Sequence, residues 1–306
     1  MDTIKLTIDN RAVEVPKGTT ILKAAEQMGI RIPTLCHFEL DGLALENRPG
    51  GCRVCVVEVV GRRNLAPACI TECMPDMVVK TNSFRALNAR RTVLELMLSD
   101  HPNDCLQCPK SGKCELQTLA AEMGIREIPF QGRMSQYKKE FSPSIVRDAN
   151  KCIMCRRCES VCHEYQSVGA IGAVERGFPA VVSTAFGKGL IDTNCVFCGQ
   201  CIAVCPVGAL SEVDNTGKVL RDIANPDVKT AVQVAPAVRV ALGEEFGMPA
   251  GTIVTGQMAA ALRRSASTMC STPTSLPTLP SWRKAPRQSA ASRRSSPATR
   301  TSRFRS

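Results

Sequence analysis

The sequence is poor in aromatic residues, with one Trp and two Tyr among 306 residues and an aromatic fraction of 4%. A chain with so few large side chains has little material for an ordinary hydrophobic core. It contains 17 Cys, however, and only three His. This composition predicts that disulfides or bound metal hold parts of the chain together.

Long apolar runs are absent as well. No stretch approaches the roughly 18–20 residues that a membrane-spanning helix needs, so no membrane span is predicted. The chain starts Met1-Asp2-Thr3-Ile4-Lys5, without the apolar segment of a secretory signal. We therefore expect a cytoplasmic protein. Because cytosolic thiols stay reduced, its cysteines favour metal sites or redox chemistry over disulfides.

Acidic residues are missing from residues 265–306, which contain eight basic ones. This segment accounts for most of the formal net charge of +11, and the rest of the chain is close to neutral. Its composition of Ser, Thr, Arg and Pro predicts disorder. Since it has no interleaved aromatic residues for stacking on bases, we expect no nucleic-acid partner.

The N-terminal region predicts an α+β fold. Residues 3–8 alternate as a half-buried strand does, Asp9-Asn10 predicts a turn, and residues 12–15 predict the returning strand. A helix capped by Thr19 or Thr20 is expected to end at Gly29. A further strand over 56–60 follows, and then a helix that is capped by Ser83 or Asn82 and runs to about Ser99. A hairpin, a helix and a cysteine loop in this order are typical of a β-grasp domain.

The strongest motif is an internal duplication of the spacing C-x2-C-x2-C-x3-C, in which the two copies lie 43 residues apart. A tight run of this kind supplies three thiolates to one 4Fe–4S cluster, and the fourth comes from the remote cysteine of the other run. We therefore predict two ligand sets. They are Cys152, Cys155, Cys158 and Cys205, and Cys195, Cys198, Cys201 and Cys162. Zinc or disulfides would leave the third cysteine of each run unexplained.

A second motif joins one histidine to three cysteines: His101, Cys105, Cys108 and Cys114. Imidazole replaces thiolate in some iron–sulfur centres. Since His101 shares one short segment with the three cysteines, we predict a third 4Fe–4S cluster. The alternatives are a structural histidine, or a zinc ion held by the same four residues.

A third group of cysteines lies around the predicted β-grasp strands and fits a 2Fe–2S cluster. Its predicted ligands are Cys36, Cys52, Cys55 and Cys69. Cys73 competes with Cys69 for the fourth position, and Cys270 is expected to have no function. Gly50-Gly51 would let backbone amides approach the cluster sulfides, and residues 41–47 are predicted to be a loop insertion.

With these motifs in this order, the chain resembles the N-terminal half of multi-cluster iron-only (FeFe) hydrogenases, especially the subunit of NAD(P)-linked enzymes. Residues 1–212 equally resemble the large iron–sulfur subunit of NADH dehydrogenase and the α subunit of NAD-dependent formate dehydrogenases. Residues 229–264 are similar to the start of the hydrogenase catalytic domain, with a predicted strand over 229–236 and a helix over 256–264. Five segments follow from the motifs and the resemblance. They are a 2Fe–2S domain (1–78), a one-His/three-Cys domain (79–140), a two-cluster ferredoxin module (141–212), an incomplete α/β start of the hydrogenase domain (213–264) and the tail (265–306).

The resemblance implies an electron relay in a hydrogenase that oxidises or evolves hydrogen. Its implied partners are ferredoxin, or a flavin-bearing NAD(P)H-oxidising subunit with a small 2Fe–2S subunit, in a hetero-oligomer. The alternative is a non-catalytic relay subunit of an NADH or formate dehydrogenase complex. The later cysteine motifs that hold the family's catalytic H-cluster are missing from this sequence. Our hypothesis is that residues 265–306 are read out of frame, and that the correct frame restores those motifs.

Overall fold

The computed structural model describes residues 2–40, 45–47, 50–265 and 269–271. The described residues up to Val213 form one compact unit, and those from Asp214 onward form a second. Each unit is a mixture of short helices and short strands. The first unit contains all the cysteines of the predicted ligand sets.

The first unit begins with a five-stranded sheet in the order β2-β1-β7-β5-β6. β1 pairs with β2 and β5 with its neighbours in antiparallel fashion, whereas β1 and β7 run parallel. The elements of this region are β1 (Thr3–Ile8), β2 (Arg11–Pro16), α1 (Ile21–Gln27), β3 (Phe38–Leu40), β4 (Leu45–Asn47), β5 (Val56–Val59), β6 (Ala66–Pro67) and β7 (Val78–Lys80).

Local sequence explains the first hairpin and the first helix. Asp9 and Asn10 both adopt positive φ, at 45° and 65°, as a two-residue turn between twisted strands requires. The Thr20 side chain accepts a hydrogen bond from the Lys23 N–H at 3.4 Å and caps α1. Gly29 follows the helix with φ of +70°. These features confirm the predicted boundaries.

One core lies between this sheet and α1. Its members are Leu6, Ile8, Val15, Ile21, Leu22, Ala24, Ala25, Ile32, Cys55, Val57, Val59, Ala66, Ala68, Cys69, Cys73, Met77 and Val79. The core is mostly aliphatic, as the shortage of aromatic residues predicts.

The segment predicted as a loop insertion is in part a strand. Leu45–Asn47 pairs with Phe38–Leu40 in antiparallel register, and the Asn47 side chain is buried. The prediction of a loop over all of 41–47 rested on the length of the gap between Cys36 and Cys52, and it was wrong for residues 45–47 because Asn47 finds partners inside the fold. Residues 41–44 lie outside the described part of the chain.

The rest of the first unit contains a long helix and a set of very short elements. They are α2 (Phe84–Ser99), α3 (Glu115–Glu122), β8 (Glu140–Phe141), β9 (Ile145–Arg147), α4 (Arg157–Ser160), β10 (Gly172–Val174), β11 (Val181–Ser183), α5 (Gln200–Ala203) and β12 (Leu210–Glu212). α2 starts after Ser83, whose side chain accepts from the Ala86 N–H, as predicted. β12 pairs with β9, and β9 with β8, in antiparallel fashion, while β10 and β11 form a hairpin.

The second unit contains α6 (Thr216–Ala224), β13 (Ala231–Gln233), α7 (Pro236–Glu245), α8 (Thr255–Arg264) and β14 (Met269–Ser271). The strand and the last helix were predicted. Met269–Ser271 was predicted to be disordered but pairs in parallel with Ala231–Gln233, so for these three residues backbone pairing overrides the polar composition. Residues 266–268 and 272–306, and with them most of the predicted tail, lie outside the described residues.

Candidate iron–sulfur sites

The duplicated cysteine motif folds into two loops of the same backbone geometry. Met154 and Phe197 occupy equivalent positions and have φ of 54° and 53°. In each loop their N–H groups donate to a cysteine sulfur two residues earlier, Cys152 at 3.4 Å and Cys195 at 3.5 Å. Each loop leads into a four-residue helix, α4 or α5, that starts after a left-handed residue. The duplication is therefore structural as well as sequential.

Two cavities lie next to these loops, and each is lined by cysteines of both runs. One is lined by Cys195, Cys198 and Cys201 of the second run and by Cys162 of the first. The other is lined by three cysteines of the first run and one of the second: Cys152, Cys155, Cys158 and Cys205. The antiparallel pairing of β9 with β12 brings the two halves together. The cysteines thus group in the two crossed sets that the sequence predicted.

The walls of both cavities are apolar. Ile171 and Leu210 contribute to both of them. Burial raises the pKa of Cys155 and of Cys201 to about 12, because a thiolate loses its hydration in such surroundings. Buried thiols of this kind need a positively charged partner before they ionise. Metal ions supply such a charge, so the donor set fits an iron–sulfur cluster.

The cysteines around the first sheet approach one another directly. The Cys55 and Cys69 sulfurs are 3.4 Å apart and both side chains are buried. A hydrogen bond from Cys52, with a second from Cys69, lowers the pKa of Cys36, and a hydrogen bond from Cys69 lowers that of Cys55. Four thiols that share protons at this separation fit a small cluster held by four thiolates.

Cys73 differs from these four cysteines in the cause of its pKa shift. Burial raises its pKa to about 11, and its backbone N–H donates to the Thr19 carbonyl. Of the two candidates for the fourth position, the geometry therefore brings Cys69 to the other three thiols. Gly50 has φ of +58°, and a Cβ there would lie 2.7 Å from the Ile70 side chain. Close packing against Ile70 thus accounts for this glycine.

The third group lies where the chain leaves α2. Burial is the main reason why the pKa of Cys114 is raised, and Cys108 and Cys105 raise it further. The three thiols are therefore neighbours. His101 is only 8% exposed. Burial lowers its pKa, and the nearby Lys151 ammonium lowers it further, so the imidazole is neutral and available as a ligand. Lys151 also interacts with Cys108, and its ammonium lies 3.0 Å from Asp104.

This third group packs against the duplicated region. The Glu115 N–H donates to the Pro206 carbonyl at 2.9 Å, which joins the residue after Cys114 to the residue after Cys205. A Cβ at Gly208 would lie 2.3 Å from the Cys108 sulfur. Only glycine permits this close approach. The sequence analysis missed Gly208, Lys151 and Arg157, because neither burial nor close approach to a sulfur can be seen in the sequence.

Among the residues that the structure describes, no three Cys, His, Asp or Glu side chains converge tightly enough to hold a single metal ion. In the described part of the chain, no helix has the length and apolar character to cross a membrane.

Comparison with known families agrees with the three cysteine regions. Residues 1–83 match the family "2Fe-2S iron-sulfur cluster binding domain", and residues 90–129 match "NADH-ubiquinone oxidoreductase-G iron-sulfur binding region". Residues 142–211 match "NADH-quinone oxidoreductase subunit 3, ferredoxin-like domain". Residues 228–271 match "Iron only hydrogenase large subunit, C-terminal domain". The chain is thus a mixed α/β, multi-domain iron–sulfur protein.

Individual proteins give the same result. The chain is 59% identical over 265 residues to NADP-reducing hydrogenase subunit HndD of Solidesulfovibrio fructosivorans, covering 86% of this chain and 45% of that protein. It is 36% identical over 213 residues to the NADH-ubiquinone oxidoreductase 75 kDa subunit of Reclinomonas americana, covering 68% of this chain and 29% of that one. It therefore spans less than half the length of these relatives.

Among solved structures, an NAD+-reducing [NiFe]-hydrogenase in the H2-reduced state is similar, with a TM-score of 0.62 and 30% identity. The match covers 68% of this chain and 87% of that one. The chain therefore belongs to the family of iron–sulfur subunits that NAD(P)-linked iron-only hydrogenases and NADH dehydrogenases share, and it corresponds to the iron–sulfur portion of the hydrogenase members.

Proposed function

We propose that this chain is an electron relay that holds one 2Fe–2S and three 4Fe–4S clusters. The observation that carries this proposal is the crossed lining of the two cavities, each with three cysteines of one run and one of the other. In two-cluster ferredoxins each run of this spacing gives three thiolates to one cluster and its fourth to the other, so the crossed lining supports iron–sulfur clusters. Iron–sulfur clusters supply reversible uptake and release of single electrons.

The proposed ligands are the residues that the structure groups. The 2Fe–2S cluster takes the four thiols of the β-grasp domain, a fold supported by the mixed sheet with α1 against it. The first 4Fe–4S cluster takes the imidazole and three thiols after α2. The other two take the crossed sets of the ferredoxin module. The full ligand list is Cys36, Cys52, Cys55, Cys69, His101, Cys105, Cys108, Cys114, Cys152, Cys155, Cys158, Cys162, Cys195, Cys198, Cys201 and Cys205.

The surrounding residues set the electrostatic conditions for electron transfer. Apolar side chains such as Ile171 and Leu210 line both crossed sets, although Cys198 of the second set is exposed. The backbone N–H groups of Met154 and Phe197 donate to ligand sulfurs, which stabilises negative charge on them. Lys151 places a positive charge beside His101 and Cys108 of the histidine-containing set. No acid, base or nucleophile in the chain is needed for this activity.

The hydrogenase assignment rests on residues 228–271, which match the iron-only hydrogenase family. We propose that the electrons pass between a hydrogenase centre and a partner within a hetero-oligomer. The partner is a flavin-bearing NAD(P)H-oxidising subunit with a small 2Fe–2S subunit, or ferredoxin. The H-cluster belongs to this chain only if a corrected reading frame restores its ligand motifs.

The second candidate is a non-catalytic relay in an NADH dehydrogenase complex. It is favoured by the matches of residues 90–129 and 142–211 to subunits of that enzyme. Resequencing the gene across the codons for residues 255–306 separates the two candidates. A single-base correction that opens a frame with the missing cysteine motifs supports the hydrogenase, and an unchanged frame supports the relay alone.

The relay itself is tested by anaerobic reconstitution of the full chain and measurement of iron and sulfide. We expect roughly 14 iron atoms per chain. Cys205→Ser is expected to disturb the cluster of the first run, because Cys205 lines the cavity of Cys152 and Cys155. Cys73→Ser is the matched control and should leave iron content unchanged. An iron content near one or two per chain, or equal loss from both variants, would contradict the proposal.

A further inference from the structure

Arg157 is a buried arginine at the start of α4, between Cys155 and Cys158. Its side chain is 6% exposed. The guanidinium donates to both carboxylate oxygens of Glu115, at 2.7 and 2.9 Å. A third bond runs from Nη2 to the His37 carbonyl oxygen at 3.1 Å. The guanidinium carbon also lies 5.5 Å from the centre of the Phe38 ring. Such a bidentate, stacked arrangement is specific to arginine.

Arg157 and its two hydrogen-bond partners come from three different cysteine segments. His37 follows Cys36, Glu115 follows Cys114, and Arg157 itself precedes Cys158. Its contacts therefore join residues next to a ligand of each of three proposed clusters. These contacts span 42 and 120 residues of sequence.

A second chain of hydrogen bonds runs beside the first. The Ser160 hydroxyl donates to the Asn47 side-chain oxygen at 2.7 Å, and the Asn47 amide donates to the Cys36 carbonyl at 2.9 Å. α4 is thus joined twice to the segment that carries Cys36. This junction fixes the 2Fe–2S domain against the ferredoxin module.

Arg157 keeps one unused donor. Its Nε–H is buried and has no hydrogen-bond acceptor among the described residues. An unpaired buried donor is unfavourable, so a group that accepts from it would be stabilised. Arg157 is buried and lies in the sequence between Cys155 and Cys158, two members of the first crossed set. Its positive charge is therefore held near that set.

We propose that Arg157 is a positioning residue that joins the three cysteine segments and raises the reduction potential of the cluster held by Cys152, Cys155, Cys158 and Cys205. The inference rests on the proposed binding of clusters. A reduced cluster carries one more negative charge than an oxidised one, so a buried cation favours reduction. Glu115 opposes this effect, and removing its charge must shift the potential the other way.

The test is a redox titration of the reconstituted full chain under anaerobic conditions, followed by electron paramagnetic resonance. The signal of this cluster is identified by its loss in Cys155→Ser. In Arg157→Met we expect the ratio of reduced to oxidised cluster at a fixed potential to fall about tenfold, which is about 59 mV for a one-electron couple. In Glu115→Gln we expect it to rise about threefold.

Two further variants separate charge from packing. Arg157→Lys keeps the positive charge but loses the bidentate contact with Glu115. The reduction potential of the cluster in this variant should therefore stay near that of the wild type. Amide exchange around Phe38 and in α3 should nevertheless become faster. Arg31→Met removes another arginine bound to the same helix, through Glu122 at 2.8 Å. Because the Arg31 side chain is exposed and solvent screens its charge, its variant should leave the potential unchanged.

Opposite shifts in Arg157→Met and Glu115→Gln are the result that supports the inference. Shifts in the same direction, or no shift in either, would overturn it, because a merely structural role predicts loosening in both. If Arg157→Met fails to load iron, Glu115→Gln still decides the sign: a rise in the reduced fraction supports the inference, and a fall or no change overturns it. A wild-type chain without clusters would refute the proposed function instead, and its iron content reports that separately.

Discussion

The first sheet and the duplicated cysteine region bury their interiors by different means. The sheet packs α1 against strands of up to six residues and has an aliphatic core, in which Ile8, Val57 and Val79 are fully buried. The duplicated region has strands of two or three residues and two four-residue helices. Elements this short do not persist by themselves in water. We therefore expect the sheet to fold without metal and the duplicated region to depend on it, although apolar side chains such as Leu190 and Val207 are also buried there.

Removal of iron is expected to have the largest effect. When a chelator strips the reconstituted chain, amides of residues 142–211 should exchange roughly a hundredfold faster or more, because metal-binding free energy in such a region is folding free energy. Amides of β1, β2 and α1 should keep their protection. Hydrogen exchange with mass spectrometry measures both regions in one sample. Equal loss of protection in the two regions would break the comparison.

A single added methyl group should disturb the metal-dependent region almost as strongly. In Gly208→Ala the new Cβ would meet the Cys108 sulfur, which lies 2.3 Å from its position. We expect the loss of roughly four iron atoms, those of the histidine-containing cluster. Gly172→Ala is the matched control, since its Cβ would make only ordinary contact with Glu159 at 3.6 Å. Full iron content in Gly208→Ala would contradict this prediction. It would show that the loop around Cys108 can move to accommodate the added methyl group.

A deletion in the aliphatic core should have a smaller effect that stays local. Val79→Ala removes a fully buried side chain from β7 and is expected to cost the sheet about 2 kcal/mol. Val78→Ala, one residue earlier on the same strand and 36% exposed, should cost less than about 1 kcal/mol. Native-state hydrogen exchange of β1 and β7 measures both. Iron loss from residues 142–211 in Val79→Ala would contradict the independence of the two regions.

Much of the local structure could be predicted because it depends on neighbours in the sequence. The Asp9-Asn10 turn, the Thr20 and Ser83 caps and the 43-residue repeat all act over a few residues or by simple duplication. The grouping of Cys162 with the second run could also be predicted, because cluster chemistry requires a fourth thiolate. The errors fell where polar residues have distant partners, as at Asn47, or where strands pair across the chain, as in β14 with β13.

The sequence by itself thus determined the number and type of the candidate ligand sets, since cysteine spacing is a local property. Only the tertiary structure decided how the sets are joined. Arg157 contacts a carboxylate 42 residues away and a carbonyl 120 residues away, and Gly208 lies against Cys108. No pattern in the sequence records such contacts, because they arise only when separately folded segments are packed together.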